Sequence, residues 1–153
     1  MTGAAHGGGL WALGAFVVAG GLWLASAAGA AESSAGAFDG KWSVTLDCPT
    51  HKTEKDFARA YKQTFAGEVM GGQFRATHGS EGEPGWHLLH GPIAADGKAM
   101  LRLDGIVNSE RHSINDAQRG KPYSYRVRAQ FEPTRGTGER MGTRKCDFIF
   151  TRQ

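Results

Sequence analysis

The chain has 153 residues, a net charge of +3 and two cysteines. With 18 Lys and Arg set against 15 Asp and Glu, the cationic excess is too thin for the dense basic patch of a nucleic-acid binder. All of that charge follows residue 31, and the length remaining suits one domain around one core.

Residues 1–31 contain no Asp, Glu, Lys or Arg. Residues 10–25 (LWALGAFVVAGGLWLA) form an apolar run, and Ala28-Gly29-Ala30 after it has the A-x-A form of a signal-peptidase site. The leader predicts a cleaved signal peptide at 1–31 and a periplasmic or secreted protein, although its n-region offers only the amino terminus and His6 as positive charge. The competing reading is a retained membrane anchor. The run is shorter than the roughly 20 residues a spanning helix needs, and glycines interrupt it. Residues 32–37 (ESSAGA) read as a linker, and 38–153 as a single β domain.

That domain shows short alternating runs separated by Gly, Pro, Asp and Asn, the pattern of antiparallel strands wet on one face. Trp42, Val44, Leu46 and Cys48 alternate with polar neighbours. Further strands are predicted at 61–69, 73–78, 86–93 and 98–107, with turns at Gly71-Gly72 and at Ala95-Asp96-Gly97. The composition of 52–60 (KTEKDFARA) suits a helical turn or two. Tyr123, Tyr125, Val127, Ala129 and Phe131 form one face of another strand. Residues 133–138 (PTRGTG) read as a turn before a short strand at 139–141, and Cys146, Phe148 and Phe150 face one way on the last strand. The fold class is therefore all-β: a seven- to eight-stranded antiparallel meander closed into a small barrel or sandwich.

In an oxidising compartment Cys48 and Cys146 are expected to pair. Setting them opposite each other on antiparallel terminal strands also opposes Leu46 with Phe148, Val44 with Phe150 and Trp42 with Arg152. Apolar meets apolar at the inward positions, and pairing the terminal strands removes the free edges of the sheet.

Gly40-Lys41-Trp42 with Arg152 at the chain's end resembles the G-x-W and arginine signature of lipocalin-like (calycin) barrels. The resemblance implies an arginine packed across the tryptophan at a closed barrel end. The strings FDGKWSVTLDCP, KPYSYRVRAQF and GTGERMGTRKCDFIF resemble a group of small exported β-barrel proteins of alphaproteobacteria, which implies a compartment and a fold but no activity. The G-x-W start followed by a cysteine is similar to small bacterial metalloprotease-inhibitor barrels.

No G-x-S-x-G, H-E-x-x-H or P-loop motif is present, so no catalytic residue, cofactor or metal is assigned. His87 and His90 lie three apart on a predicted strand and point to opposite faces, which prevents joint chelation. The polar segment 108–121 (NSERHSINDAQRGK) allows a Ser-His-Asp reading from Ser109 or Ser113, His112 and Asp116, with Glu110 nearby. Crowding of this kind is also what any solvated loop looks like.

Two binding surfaces remain. Arg126 and Arg128, with Arg140 and Arg144 close in sequence, form a candidate basic stripe for an envelope protein or acidic polymer. Trp42, Trp86, Tyr123 and Tyr125 are candidate walls for a small apolar ligand, if the barrel is hollow by roughly 300 Å³ or more. The alternative is a filled core, favoured because no apolar cluster in the loops marks an entrance. The expected function is a non-enzymatic envelope interaction module. A lipocalin-like carrier of a small apolar ligand is the alternative, followed by a protease-inhibitor-type barrel or a hydrolase.

Overall fold

The structure, a computed structural model, describes residues 36–153. The leader at 1–31 and most of the linker lie outside the described residues. Among the described residues no helix is long and apolar enough to cross a membrane.

Ten strands follow in chain order: β1 (Gly40–Cys48), β2 (His51–Lys52), β3 (Phe57–Ala58), β4 (Tyr61–Met70), β5 (Gln73–His78), β6 (His87–Pro92), β7 (Lys98–Ile106), β8 (Pro122–Phe131), β9 (Arg135–Arg140) and β10 (Asp147–Arg152). β1 and β4 to β10 form a closed eight-stranded barrel in which every pairing is antiparallel. β2 and β3 form a separate hairpin at the end where β1 finishes and β4 begins. The helical turns suggested by the composition of 52–60 are absent. Thr53 and Asp56 bond to each other through their backbones and close a tight turn between two short strands. Among the described residues the one short helical segment is a 3-10 turn at Glu110–His112.

The barrel closes on the predicted seam. β10 lies against β1 with Leu46 opposite Phe148, Val44 opposite Phe150 and Trp42 opposite Arg152. One step beyond Asp47 and Asp147, Cys48 and Cys146 form a disulfide with their Cα atoms 4.2 Å apart. That spacing suits a directly opposed pair that exchanges no ladder hydrogen bonds.

The end where β1 begins is filled by aromatic side chains. Trp42 meets Phe131 edge-on at 5.4 Å, Phe131 lies 4.6 Å from Phe150, and Phe150 meets Phe74 edge-on at 5.4 Å. Each such pair adds about 0.5–1.5 kcal/mol beyond the burial of its area. The Trp42 indole N–H donates to the Phe38 carbonyl at 2.9 Å, so its one polar atom is satisfied. The Arg152 guanidinium passes beside Gly40, where a Cβ would sit 3.6 Å from it, and donates to the carbonyls of Asp39 and Pro133. It ties together the backbone around the base. Cation–π contacts among the described residues are made instead by Arg140 and Arg144. The Asp39 carboxylate accepts from the N–H groups of Gly71 and Gly72 at 2.8 and 3.0 Å. These glycines have φ of 57° and 74°, as a two-residue hairpin turn demands.

β9 differs most from its sequence pattern. Residues 135–138, expected in a turn, are the first part of a full strand. Its inward positions are Gly136, Gly138 and Arg140, with Gly136 opposite Phe150 and Gly138 opposite Phe148. Gly136 leaves room for the aromatic plug, since a Cβ there would stand 3.3 Å from the Phe131 ring, and a Cβ on Gly138 would stand 3.2 Å from side-chain carbons of both Ala129 and Val127 on β8.

The disulfide encloses a separation of 98 residues. Chain-entropy arithmetic assigns such a loop up to ~4–5 kcal/mol, less any strain. Thiol titration of the denatured, unreduced protein is expected to find no free cysteine. Cys48→Ala/Cys146→Ala is expected to lower the urea-unfolding free energy by a sizeable part of that figure; an unchanged midpoint would contradict this role.

Candidate functional site

The interior is neither wholly filled nor wholly hollow. Above the aromatic plug, at the end where Cys48 and Tyr61 lie, the barrel holds a pocket of about 250 Å³. Its walls come from the strand ends: Tyr61 and Gln63 on β4, His87 on β6, Ile106 on β7, Tyr123 and Tyr125 on β8, and Arg140 on β9. Gly105 faces Tyr123 across β7 and β8, and a Cβ there would fall 2.6 Å from the tyrosine ring, so glycine at this position lets the ring lie flat on the wall.

A roof of loops covers the pocket. Val107, Ser109, His112, Ser113, Ile114 and Ala117 line it from the segment between β7 and β8. The roof is tied to the β2–β3 hairpin by bonds from Arg59 N–H to the Arg111 carbonyl (2.7 Å) and from Asn115 N–H to the Asp56 carboxylate (2.9 Å). Arg144, on the loop between β9 and β10, locks both pieces down. Its terminal nitrogens donate to the carbonyls of His112 and of Arg59, the latter at 2.8 Å.

Four polar groups on the lining end without a hydrogen-bond partner: Tyr125 Oη, His87 Nε2, Arg140 Nε and Arg144 Nε. Three of their residues are well inside, with Arg144 1%, His87 3% and Tyr125 9% exposed, and Arg140 is half-buried. An unpaired buried donor or acceptor costs about 1–3 kcal/mol, so native proteins seldom leave several in one place. The arginines are partly compensated by tyrosine faces. The Arg140 guanidinium carbon is 4.1 Å from the Tyr125 ring centre, and that of Arg144 is 5.1 Å from Tyr61.

The electrostatics follow from burial. Desolvation raises the phenol pKa of Tyr61, Tyr123 and, most strongly, Tyr125, which keeps all three as neutral O–H donors. Desolvation also pulls the Arg144 guanidinium below its ordinary value, opposed by Tyr61 and reinforced by the like charge of Arg140. Asp56 favours the Arg144 charge from outside the lining. Among the described residues no Asp or Glu lines the pocket itself. His87 is lowered to about 4, first by desolvation and then by the charge of His78, whose ring lies 4.9 Å away.

The candidate residues therefore divide. Tyr123 and Tyr125 line the pocket, whereas Trp42 is sealed in the plug at the other end and Trp86 sits half-buried on the adjoining loop. Arg126 and Arg128 face outward, but Arg140 and Arg144 do not join them, so the four do not make one stripe. Arg140 shares the inward phase of Gly136 and Gly138, and Arg144 is drawn in by two backbone carbonyls. On the outer face Arg128 is paired with Glu139, and Arg102, opposite Arg126, is paired with Asp104. The entrance cluster not expected from sequence exists as Val107, Ile114 and Ala117, spaced through an otherwise polar segment.

The Ser-His-Asp reading does not assemble. His112 Nδ1 bonds the Arg59 carbonyl at 3.2 Å, the Ser113 hydroxyl donates to the Ser109 carbonyl, and the Ser109 hydroxyl accepts from Arg111 N–H. Glu110 and Asp116 point into solvent. Among the described residues no group of three or more His, Cys, Asp or Glu is placed to hold a metal ion. Compared with protein-family models, curated proteins and solved structures, the chain matches none.

His87 makes the pocket wall sensitive to acid. A histidine held near 4 in the fold but near 6.5 when unfolded binds more protons in the unfolded chain between those values. Its neutral burial is fully accommodated above pH 6.5, and stability is lost as pH falls from there toward 4, by up to roughly 3 kcal/mol. Melting temperatures measured across that window are expected to fall, and to fall less steeply in His87→Phe. Equal slopes for the two proteins would contradict the assignment.

Proposed function

We propose that this protein is a non-enzymatic binding barrel of an exported, oxidising compartment, periplasmic or secreted, and that it holds a small molecule under its roof. The observation that carries this reading is the group of four unpartnered polar atoms on the pocket lining, beside tyrosine faces that are already in place. A bound molecule satisfies those atoms without any rearrangement of the strands that bear them. The compartment is supported by the disulfide and by the apolar leader in the sequence.

This reading shifts weight from an outer-face interaction module to the barrel interior. Once Arg140 and Arg144 turn inward and Arg128 pairs with Glu139, little concentrated charge is left outside to attract an acidic polymer. It also changes the carrier alternative. The lower half is occupied by Trp42, Phe74, Phe131, Phe148 and Phe150, all nearly inaccessible to solvent, so a long apolar chain has nowhere to lie. At about 250 Å³ the pocket falls short of the roughly 300 Å³ expected of a carrier for an apolar ligand and suits a compact ligand with polar ends.

The test is calorimetric titration of three single-ring probes: neutral p-cresol, anionic benzoate and cationic benzylamine. At least one is expected to bind saturably with one site per chain. Ala117→Trp, which fills the roof side of the pocket, is expected to abolish that binding while the circular dichroism spectrum stays unchanged. No saturable binding by any probe, or binding indifferent to the obstruction, would overturn the reading.

A further inference from the structure

We propose that the pocket selects a small aromatic carboxylate and that Arg140 is the residue that recognises its charge. This rests on the reading of the pocket as a ligand site and specifies what that site takes. The two arginines are not equivalent. Arg144 spends both terminal nitrogens on the carbonyls of His112 and Arg59, which makes it a strut of the roof. The Arg140 side chain donates to no described residue and has no carboxylate partner among them, although its Nε is buried and guanidinium cannot shed its charge in a protein. A half-buried cation with no acidic partner becomes strongly favourable once an anion reaches it, because charge-assisted bonds are about twice as strong as neutral ones. With no acidic residue on the lining, nothing in the pocket competes for that role.

The ligand's body follows from the other walls and from the volume. Tyr123 and Tyr125 stand side by side with their rings within 14° of parallel, and Ile106 and Ile114 add apolar surface. About 250 Å³ admits one ring with short substituents, and the plug beneath blocks anything longer. Of the three remaining unpartnered atoms, Arg144 Nε lies on the roof strut, and Tyr125 Oη and His87 Nε2 supply hydrogen bonds for a ring hydroxyl. A hydroxylated benzoate combines the three features: carboxylate, planar body and a second polar end.

Competition and direct titration at pH 7 with 4-hydroxybenzoate, its neutral isostere 4-hydroxybenzamide, cationic 4-hydroxybenzylamine and inorganic phosphate separate the possibilities. The carboxylate is expected to bind at least ~10-fold more tightly than each of the other three, as a charge-assisted bond would allow. Arg140→Gln should erase the preference over the amide, Arg140→Lys should restore part of it, and Arg126→Gln on the outer face should leave it unchanged. A readout that needs no variant is phenylglyoxal modification of the wild-type protein, which 4-hydroxybenzoate should slow at Arg140 and the amide should not. Equal affinity for amide or amine, a preference that survives Arg140→Gln, or phosphate binding as tightly as the carboxylate would each overturn the proposal while leaving a ligand site in place. Failure of all the organic probes would overturn the ligand-site reading with it.

Discussion

The antiparallel pairing of β1 with β10, fastened at Cys48 and Cys146, is the constraint on which the rest depends. A meander of eight strands leaves two exposed edges unless its first and last members meet. Here they meet with every inward position apolar, from Cys48 against Cys146 down to Val44 against Phe150. The same seam fixes the pocket. Arg140 N–H bonds the Cys146 carbonyl at 2.8 Å, and Arg144 stands two residues before that cysteine. The staple that closes the barrel thus also anchors both arginines at its mouth.

Packing divides the barrel along its axis. Gly136 on β9 leaves room for the Phe131 ring, which interlocks with Trp42, Phe74 and Phe150, and Phe148 stacks on Phe150, so that the base is sealed from solvent. Toward the other end the inward residues change to Tyr61, His87, Tyr123, Tyr125 and Arg140, whose polar tips need partners. The plug therefore sets the depth of the pocket, and the roof held by Arg144 sets its height. An apolar floor, aromatic sides and unpaired donors make an environment of low dielectric in which a single counter-charge has large consequences. That is the physical basis for assigning a small anion to it.

Much of the frame was legible in the sequence, and the reason is period-2 alternation. β1, β8 and β10 carry uninterrupted apolar faces, the two cysteines set the register of β1 against β10, and Asp96-Gly97 and Gly71-Gly72 announce their turns. The pocket was less legible because its residues break those signals. The first part of β9 offers glycine where a strand reading looks for Val or Phe, so 133–138 reads as a turn, and Arg140 joins Arg126 and Arg128 in a candidate stripe only through its closeness in sequence. Arg144 lies on a loop, where nothing but tertiary carbonyls decides its direction. Val107, Ile114 and Ala117 were diluted among polar neighbours. Their spacing was visible, but that they converge depends on the hairpin at 51–58 holding the loop in place.

Arg140 and Arg144 line one pocket, and on the proposal above Arg140 receives an anion there. Side-chain ¹H–¹⁵N spectra of the arginine Nε–H groups, recorded while 4-hydroxybenzoate is added, test this most directly. The account predicts slowly exchanging Nε–H signals for both residues in the free protein and a large, saturable shift for Arg140, with Arg126 and Arg128 unmoved. A shift confined to the outer arginines, or an Arg140 signal that exchanges rapidly with water and ignores the ligand, would contradict it.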